Sequence, residues 1–205
     1  MKLSIGAAAA LAITASAWAA TSAPTASATA APAAAVAAPK SAAQWTTAAD
    51  STLSFSTSYD GEDFSGGFKQ FTADLRFDPQ NLPGSRFDVL IQLGSANTEN
   101  EERDETLLGS EFFNAIAAPQ ARYTATRFRK LADGRFVAEG TLSLRGLSKP
   151  VPLTFSWAPG ASPTLVGSAA LNRLDFNVGT GDWDDVEVMP NAVKVETRLS
   201  LQPKR

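Results

Sequence analysis

The chain contains no cysteine and no histidine. Their absence removes disulfide staples, thiolate nucleophiles, Ser-His and Cys-His pairs, and the usual zinc and haem ligands. Carboxylate chemistry, lysine chemistry and oxygen-ligated cations remain as routes to catalysis or metal binding. A basic face is lacking too. With 18 lysines and arginines against 21 aspartates and glutamates, the formal charge is -3, which leaves no electrostatic footprint for nucleic acid.

What is present is enough for one medium domain with tails: 205 residues, 44% hydrophobic and 19% charged. Met1 to Ala19 carries a lysine at position 2, an apolar stretch and the small-x-small site Ala17-Trp18-Ala19, the pattern of a secretory signal cleaved near Ala19. Its apolar run falls short of the roughly 20 residues a bilayer crossing needs. Export is the expectation. Residues 20–43 are almost wholly Ala, Pro, Ser and Thr, a composition with no alternating apolar face, and read as a disordered linker. The folded domain then spans 44–205.

Within that domain the apolar residues alternate. Leu53, Phe55, Thr57 and Tyr59 share one strand face; Phe87, Val89, Ile91 and Leu93 another; Val193, Val195, Leu199 and Leu201 a third. The parity slips at Lys69-Gln70 and again between Tyr123 and Phe128, and each slip predicts a bulge. Asp60-Gly61 and Asp133-Gly134 are hairpin turn signals. One stretch breaks the pattern. Ser95 to Ala115 reads as helix, with Thr98 and Glu101 spaced as a capping box, Gly109 as its stop, and Leu107, Leu108, Phe112 and Phe113 as a greasy end suited to a lid. Roughly eight antiparallel strands with one short helix between two of them predict an all-β, up-and-down barrel, with a two-sheet sandwich as the competing architecture.

An eight-stranded barrel is either filled by its own side chains or holds one small ligand. Gly66, Ala73, Ala125, Ala138, Gly140, Gly167 and Ala169 fall on the inward faces, so the expectation is that missing bulk leaves an apolar tunnel.

Trp45, Gly67-Phe68, Phe77-Asp78-Pro79, Arg103-Asp104 with Leu107, Ser110 and Phe112-Phe113, Gly140-Thr141-Leu142, Gly146, Lys149-Pro150-Val151, and Arg173 with Asp175-Phe176 recur in one order. In that order and spacing the stretch from Gln44 to Pro203 resembles the YceI-like family. The resemblance implies a lipocalin-like barrel around a long apolar tunnel, a periplasmic location and a polyisoprenoid ligand such as a prenyl quinone or a polyprenyl phosphate. Relatives sharing the run Gly179 to Trp183 occur beside membrane b-type cytochromes, which implies transient contact with a membrane or such a cytochrome. The chain departs from the family where Tyr59 and Thr106 stand at positions commonly histidine and Asn177 replaces a usual glycine.

The expected apolar pocket comprises Phe55, Phe68, Val89, Ile91, Phe112, Phe113, Tyr123, Leu142, Phe155 and Leu171, with Phe112 and Phe113 as gate residues. Arg122, Arg127 and Arg129, beside Lys130 on one strand, are the candidates for a polar head group at the barrel mouth. No cofactor, metal or catalytic residue is expected. The acidic run Asp182, Asp184, Asp185 and Glu187 lacks the spacing of an EF-hand, and Glu101, Glu102, Asp104 and Glu105 read as a wet helix face. The leading reading is a carrier that sequesters or transports an isoprenoid lipid, with a homodimer through an exposed strand or the helical region as a further expectation. Two alternatives stand beside it: a carboxylate-dependent enzyme acting on such a lipid, which needs a buried acidic pair facing the cavity, and a filled-barrel stress or surface-interaction protein.

Overall fold

The computed structural model describes residues 43–204; the leader at 1–19 and the linker up to Ala42 lie outside them. Eleven strands form one sheet: β1 Gln44–Thr47, β2 Thr52–Tyr59, β3 Glu62–Phe68, β4 Phe71–Arg76, β5 Arg86–Gln92, β6 Ala96–Asn97, β7 Gln120–Lys130, β8 Phe136–Leu144, β9 Leu147–Ala158, β10 Thr164–Asn172 and β11 Ala192–Pro203. Six of them are halves of three broken staves. β1 and β2 both pair with β11 and are separated at 48–51. β3 and β4 divide at Lys69-Gln70, where the backbone N–H groups turn instead to the Ser95 carbonyl at 3.0 Å and its hydroxyl at 2.9 Å. β5 and β6 divide at a 3-10 turn over Leu93–Ser95. Counted as staves, the ring has eight members. It closes through β1, which pairs with both β4 and β11, so the sheet is a closed antiparallel barrel and not a sandwich. The second parity slip is a bulge between Ala125 and Phe128, where β7 shifts register against β8.

The helix, α1, covers Glu101–Leu108 and starts later than the capping-box reading has it. Asn100 is the cap, its side chain accepting from the Arg103 N–H at 2.9 Å. Thr98 serves a different bond. Its N–H and hydroxyl both donate to Asp104 Oδ1 at 2.7 Å, while Asn97 donates to Oδ2 at 2.9 Å. Those donors hold the Asp104 carboxyl below its ordinary pKa of 3.8, the Thr98 hydroxyl contributing most. Asp104 is therefore a tie between α1 and β6 and not part of a free wet face. Gly109 does end the helix.

One end of the barrel is solid. Phe77, which follows β4, sits among Phe136, Phe155 and Trp157 with ring centroids 5.0 to 5.2 Å away, and Phe87 and Phe128 complete the plug at 4.8 Å from each other. The other end is covered by α1 with the loop behind it and by the segment between β10 and β11. Between plug and cover lies the hollow.

Candidate functional site

Alternation along β2, β5, β7, β8, β10 and β11 aims one apolar residue in two at the barrel axis, and the rings at one end leave the middle unfilled. The result is an apolar cavity of about 180 Å³. Of the ten expected pocket residues, nine stand in its wall: Phe55, Phe68, Val89, Ile91, Phe112, Phe113, Tyr123, Leu142 and Leu171. Phe155 does not. It is 1% exposed and belongs to the plug, stacked on Phe136 at 5.6 Å.

The glycines do not leave the space. A Cβ on Gly66 would stand 2.5 Å from the Phe55 ring, and one on Gly140 2.1 Å from the Tyr123 ring, so these positions are small because an aromatic side chain lies across them. Of the seven small inward residues only Ala169 lines the cavity; Ala73, Ala125 and Ala138 are packed in the core with exposures of 1%, 2% and 0%. Left vacant, a void of this size would forfeit about 4 kcal/mol of packing at roughly 24 cal/mol per Å³.

Polar side chains in the wall are few: Thr57, Thr197, Tyr123 and Arg173. The Tyr123 hydroxyl donates to the Ala138 carbonyl at 3.2 Å, and burial pushes its pKa up, so it stays neutral and committed. Arg173 is the larger surprise. Only 1% exposed, it donates to the carbonyls of Pro190 at 3.1 Å, Met189 at 2.7 Å and Val178 at 3.1 Å, and to that of Gly179. Burial pushes its pKa down and Asp184 pulls it back; carbonyl dipoles and not a carboxylate stabilise the charge directly.

Arg145 does for the cover what Arg173 does for the loop. From the β8–β9 turn it donates to the carbonyls of Ser110 at 2.8 Å and Glu111 at 3.0 Å, and to those of Phe112 and Asn177. Glu111 in turn joins the two covering segments. Its carbonyl accepts from Gly179 at 2.7 Å and Thr180 at 3.3 Å, and its carboxylate from the Trp183 indole at 3.0 Å. Trp183 packs on Phe112 at 5.2 Å and on Tyr59 at 5.6 Å, and Phe113 presses on Phe68 at 5.7 Å. At about 1 kcal/mol net per hydrogen bond, the bonds that tie Ser110 to Phe112 down amount to on the order of 5 kcal/mol. Phe112 and Phe113 thus sit on the underside of a latched cover. The sequence marks Arg173 only as a member of the motif it forms with Asp175-Phe176, and nothing local marks Arg145, whose partners are 32 to 35 residues away.

The head-group arginines lie elsewhere. Arg122 is outside the barrel, gripping Asp88 through Nε at 2.8 Å and Nη2 at 2.6 Å, a pair that lowers the Asp88 pKa. Arg127 and Arg129 share Glu139 at 3.3 and 3.6 Å on the same outer surface. Strand alternation explains the placement. Ala121 and Tyr123 face the core, so Arg122 faces water, and the bulge after Ala125 turns both Arg127 and Arg129 outward. Arg103, beside the cover, lies over the Phe64 ring at 4.7 Å. Among the described residues no three acidic side chains come close enough to share a cation, the 182–187 run included.

A sequence model of the YceI-like domain matches residues 45–201. The chain belongs to the YceI-like family. It is 27% identical over 160 residues to a UPF0312 protein of Vibrio vulnificus, covering 73% of this chain and 85% of that one, and 30% identical over 141 residues to one of Yersinia enterocolitica, covering 68% and 73%. Among solved structures, Burkholderia cenocepacia BcnA superposes with a TM-score of 0.71 at 26% identity, over 74% of this chain and 96% of that one. A polyisoprenoid binding domain from Saccharophagus degradans, implicated in plant cell wall breakdown, shares the fold with a TM-score of 0.60 at 16% identity, over 80% and 99%. The YceI-like fold here is a closed lipocalin-like barrel with one helix in its cover.

Proposed function

We propose that the protein is an exported carrier that holds the tail of an isoprenoid lipid in the hollow between the aromatic plug and the latched cover, and performs no reaction. The observation that carries this reading is the apolar hollow itself, whose few polar wall residues include two already committed to backbone carbonyls. A ligand selected by such a wall is recognised by apolar area and shape. The structural likeness to a polyisoprenoid binding domain supports the same class of guest. The carboxylate-enzyme alternative is disfavoured because no aspartate or glutamate lines the cavity among the described residues. The plug gives the filled-barrel alternative one end of the barrel, and limits how deep a tail can reach.

The leader read at Met1 to Ala19 supports a periplasmic location, and a prenyl quinone or polyprenyl phosphate is the proposed guest. Native mass spectrometry, with lipid extraction, of the protein purified from its own periplasm tests both points. A co-purifying prenyl lipid on a chain shortened near Ala19 is expected. A full-length chain would count against export, and a clean apo mass against the carrier.

A further inference from the structure

β11 pairs with β2 only as far as Lys194 opposite Ser56. Beyond that point Thr57, Ser58 and Tyr59 keep their partners on β3 but have none on β11 until the Asp60 N–H reaches the Val188 carbonyl at 2.8 Å. Across this gap the Thr57 hydroxyl donates to the Ala192 carbonyl at 3.5 Å, the long limit of such a bond. Three extended residues make this unpaired stretch roughly 10 Å long, measured along the strand.

The gap has a cause. The segment that would extend β11 toward the cover is spent on the other side: the carbonyls of Met189 and Pro190 receive Arg173, and Asn191 receives the N–H of Arg173 at its carbonyl and that of Leu174 at its side chain. Pro190 has no N–H to offer a ladder. Outside the gap lies a groove of about 400 Å³ lined by Ser56, Ser58, Asp63 and Ser65 from the β2–β3 hairpin and by Pro190 and Ala192. Thr57 and Phe64 line both this groove and the cavity. A polar surface and a dry interior thus meet across two side chains, where the ladder between β2 and β11 is interrupted. The cover, by contrast, opens only by breaking the Arg145 and Glu111 bonds together.

We infer that the ligand enters and leaves sideways through the seam between β2 and β11, with the hydroxyl-lined groove as the vestibule of that route and Phe64 as its inner door. The inference rests on the carrier reading. It moves the gate from the cover to the wall.

Continuing the β2–β11 register by two residues sets Ser58 opposite Ala192, and a chain without cysteine allows one engineered bridge there with no competing thiol. The test is stopped-flow quenching of tryptophan fluorescence by a benzoquinone carrying two isoprene units. It uses the wild type and the double variant Ser58→Cys, Ala192→Cys, the latter oxidised and reduced, with bridge formation followed by thiol titration. The expected result is association and dissociation at least about tenfold slower in the bridged form, restored on reduction. Ala192→Phe, which fills the vestibule without a bridge, is expected to slow association likewise. Bridged protein that binds as fast as reduced protein, or Arg145→Ala speeding association while Ala192→Phe leaves it unchanged, would overturn the seam. Failure of the wild type to bind overturns the carrier reading and the seam with it, whereas binding at equal rates in all forms overturns the seam alone.

Discussion

Ala169→Leu puts a larger side chain into a small position that lines the cavity, opposite Val195 of β11, which lines it as well. Three added carbons buried at about 0.8 kcal/mol each give about 2.4 kcal/mol, and fixing the new rotamer returns roughly 0.5 to 1. The apo protein should therefore gain about 1.5 to 2 kcal/mol. With a urea m-value of about 2 kcal/mol/M for a domain of this size, the midpoint rises by roughly 0.8 M. The complex should not share the gain, because leucine and lipid compete for the same volume. Affinity for a prenyl probe then falls by about the same free energy, on the order of 10- to 30-fold. Urea unfolding of the apo protein and equilibrium titration of the same preparation give the two numbers. A variant less stable than the wild type would mean that the space is not available, and a more stable variant with unchanged affinity would mean that no ligand uses it; either refutes the reasoning.

Arg173→Met keeps much of the apolar stem but orphans the carbonyls of Val178, Gly179, Met189 and Pro190, and at about 1 to 3 kcal/mol for each buried acceptor left unpaired the loss should exceed about 3 kcal/mol in denaturant unfolding. Phe113→Ala removes a ring that packs on Phe55 and Phe68, so unfolding should show a loss of about 3 to 5 kcal/mol, and lipid retention should weaken; unchanged dissociation kinetics would refute a role for that ring in retention. The depressed pKa of Asp104 makes a signed prediction about pH. Its ionised form is favoured by folding, so the stability it contributes is present above about pH 4 and is lost as the pH falls through the depressed value. Asp104→Asn should flatten that acid limb in urea titrations between pH 2 and 5, and an unchanged limb would show that the Thr98 and Asn97 bonds carry no net preference for the charge.

The strands were legible because a half-buried strand repeats every two residues and needs only its own neighbours to show it. The same logic located the two irregularities, although the slip at Lys69-Gln70 is a break between β3 and β4 and only the one after Ala125 is a bulge, and it aimed Phe55, Val89, Ile91, Tyr123 and Leu171 inward. The end of α1 at Gly109 was legible too. Its cap was not, because Thr98 and Asn100 are both good cap residues and the choice between them is made by Asp104 reaching back to Thr98.

What the chain decides by itself is therefore a periodic matter: how many staves, which face of each is dry, and where they kink. Tertiary structure alone decided that Phe55 and Tyr123 fill the room above Gly66 and Gly140, that Arg122 finds Asp88 while Arg127 and Arg129 share Glu139, and that Arg145 and Arg173 spend their charge on carbonyls of the cover. Each of these depends on which residue faces another across the barrel. That pairing is fixed by closure of the ring, a long-range condition that no local window of sequence contains.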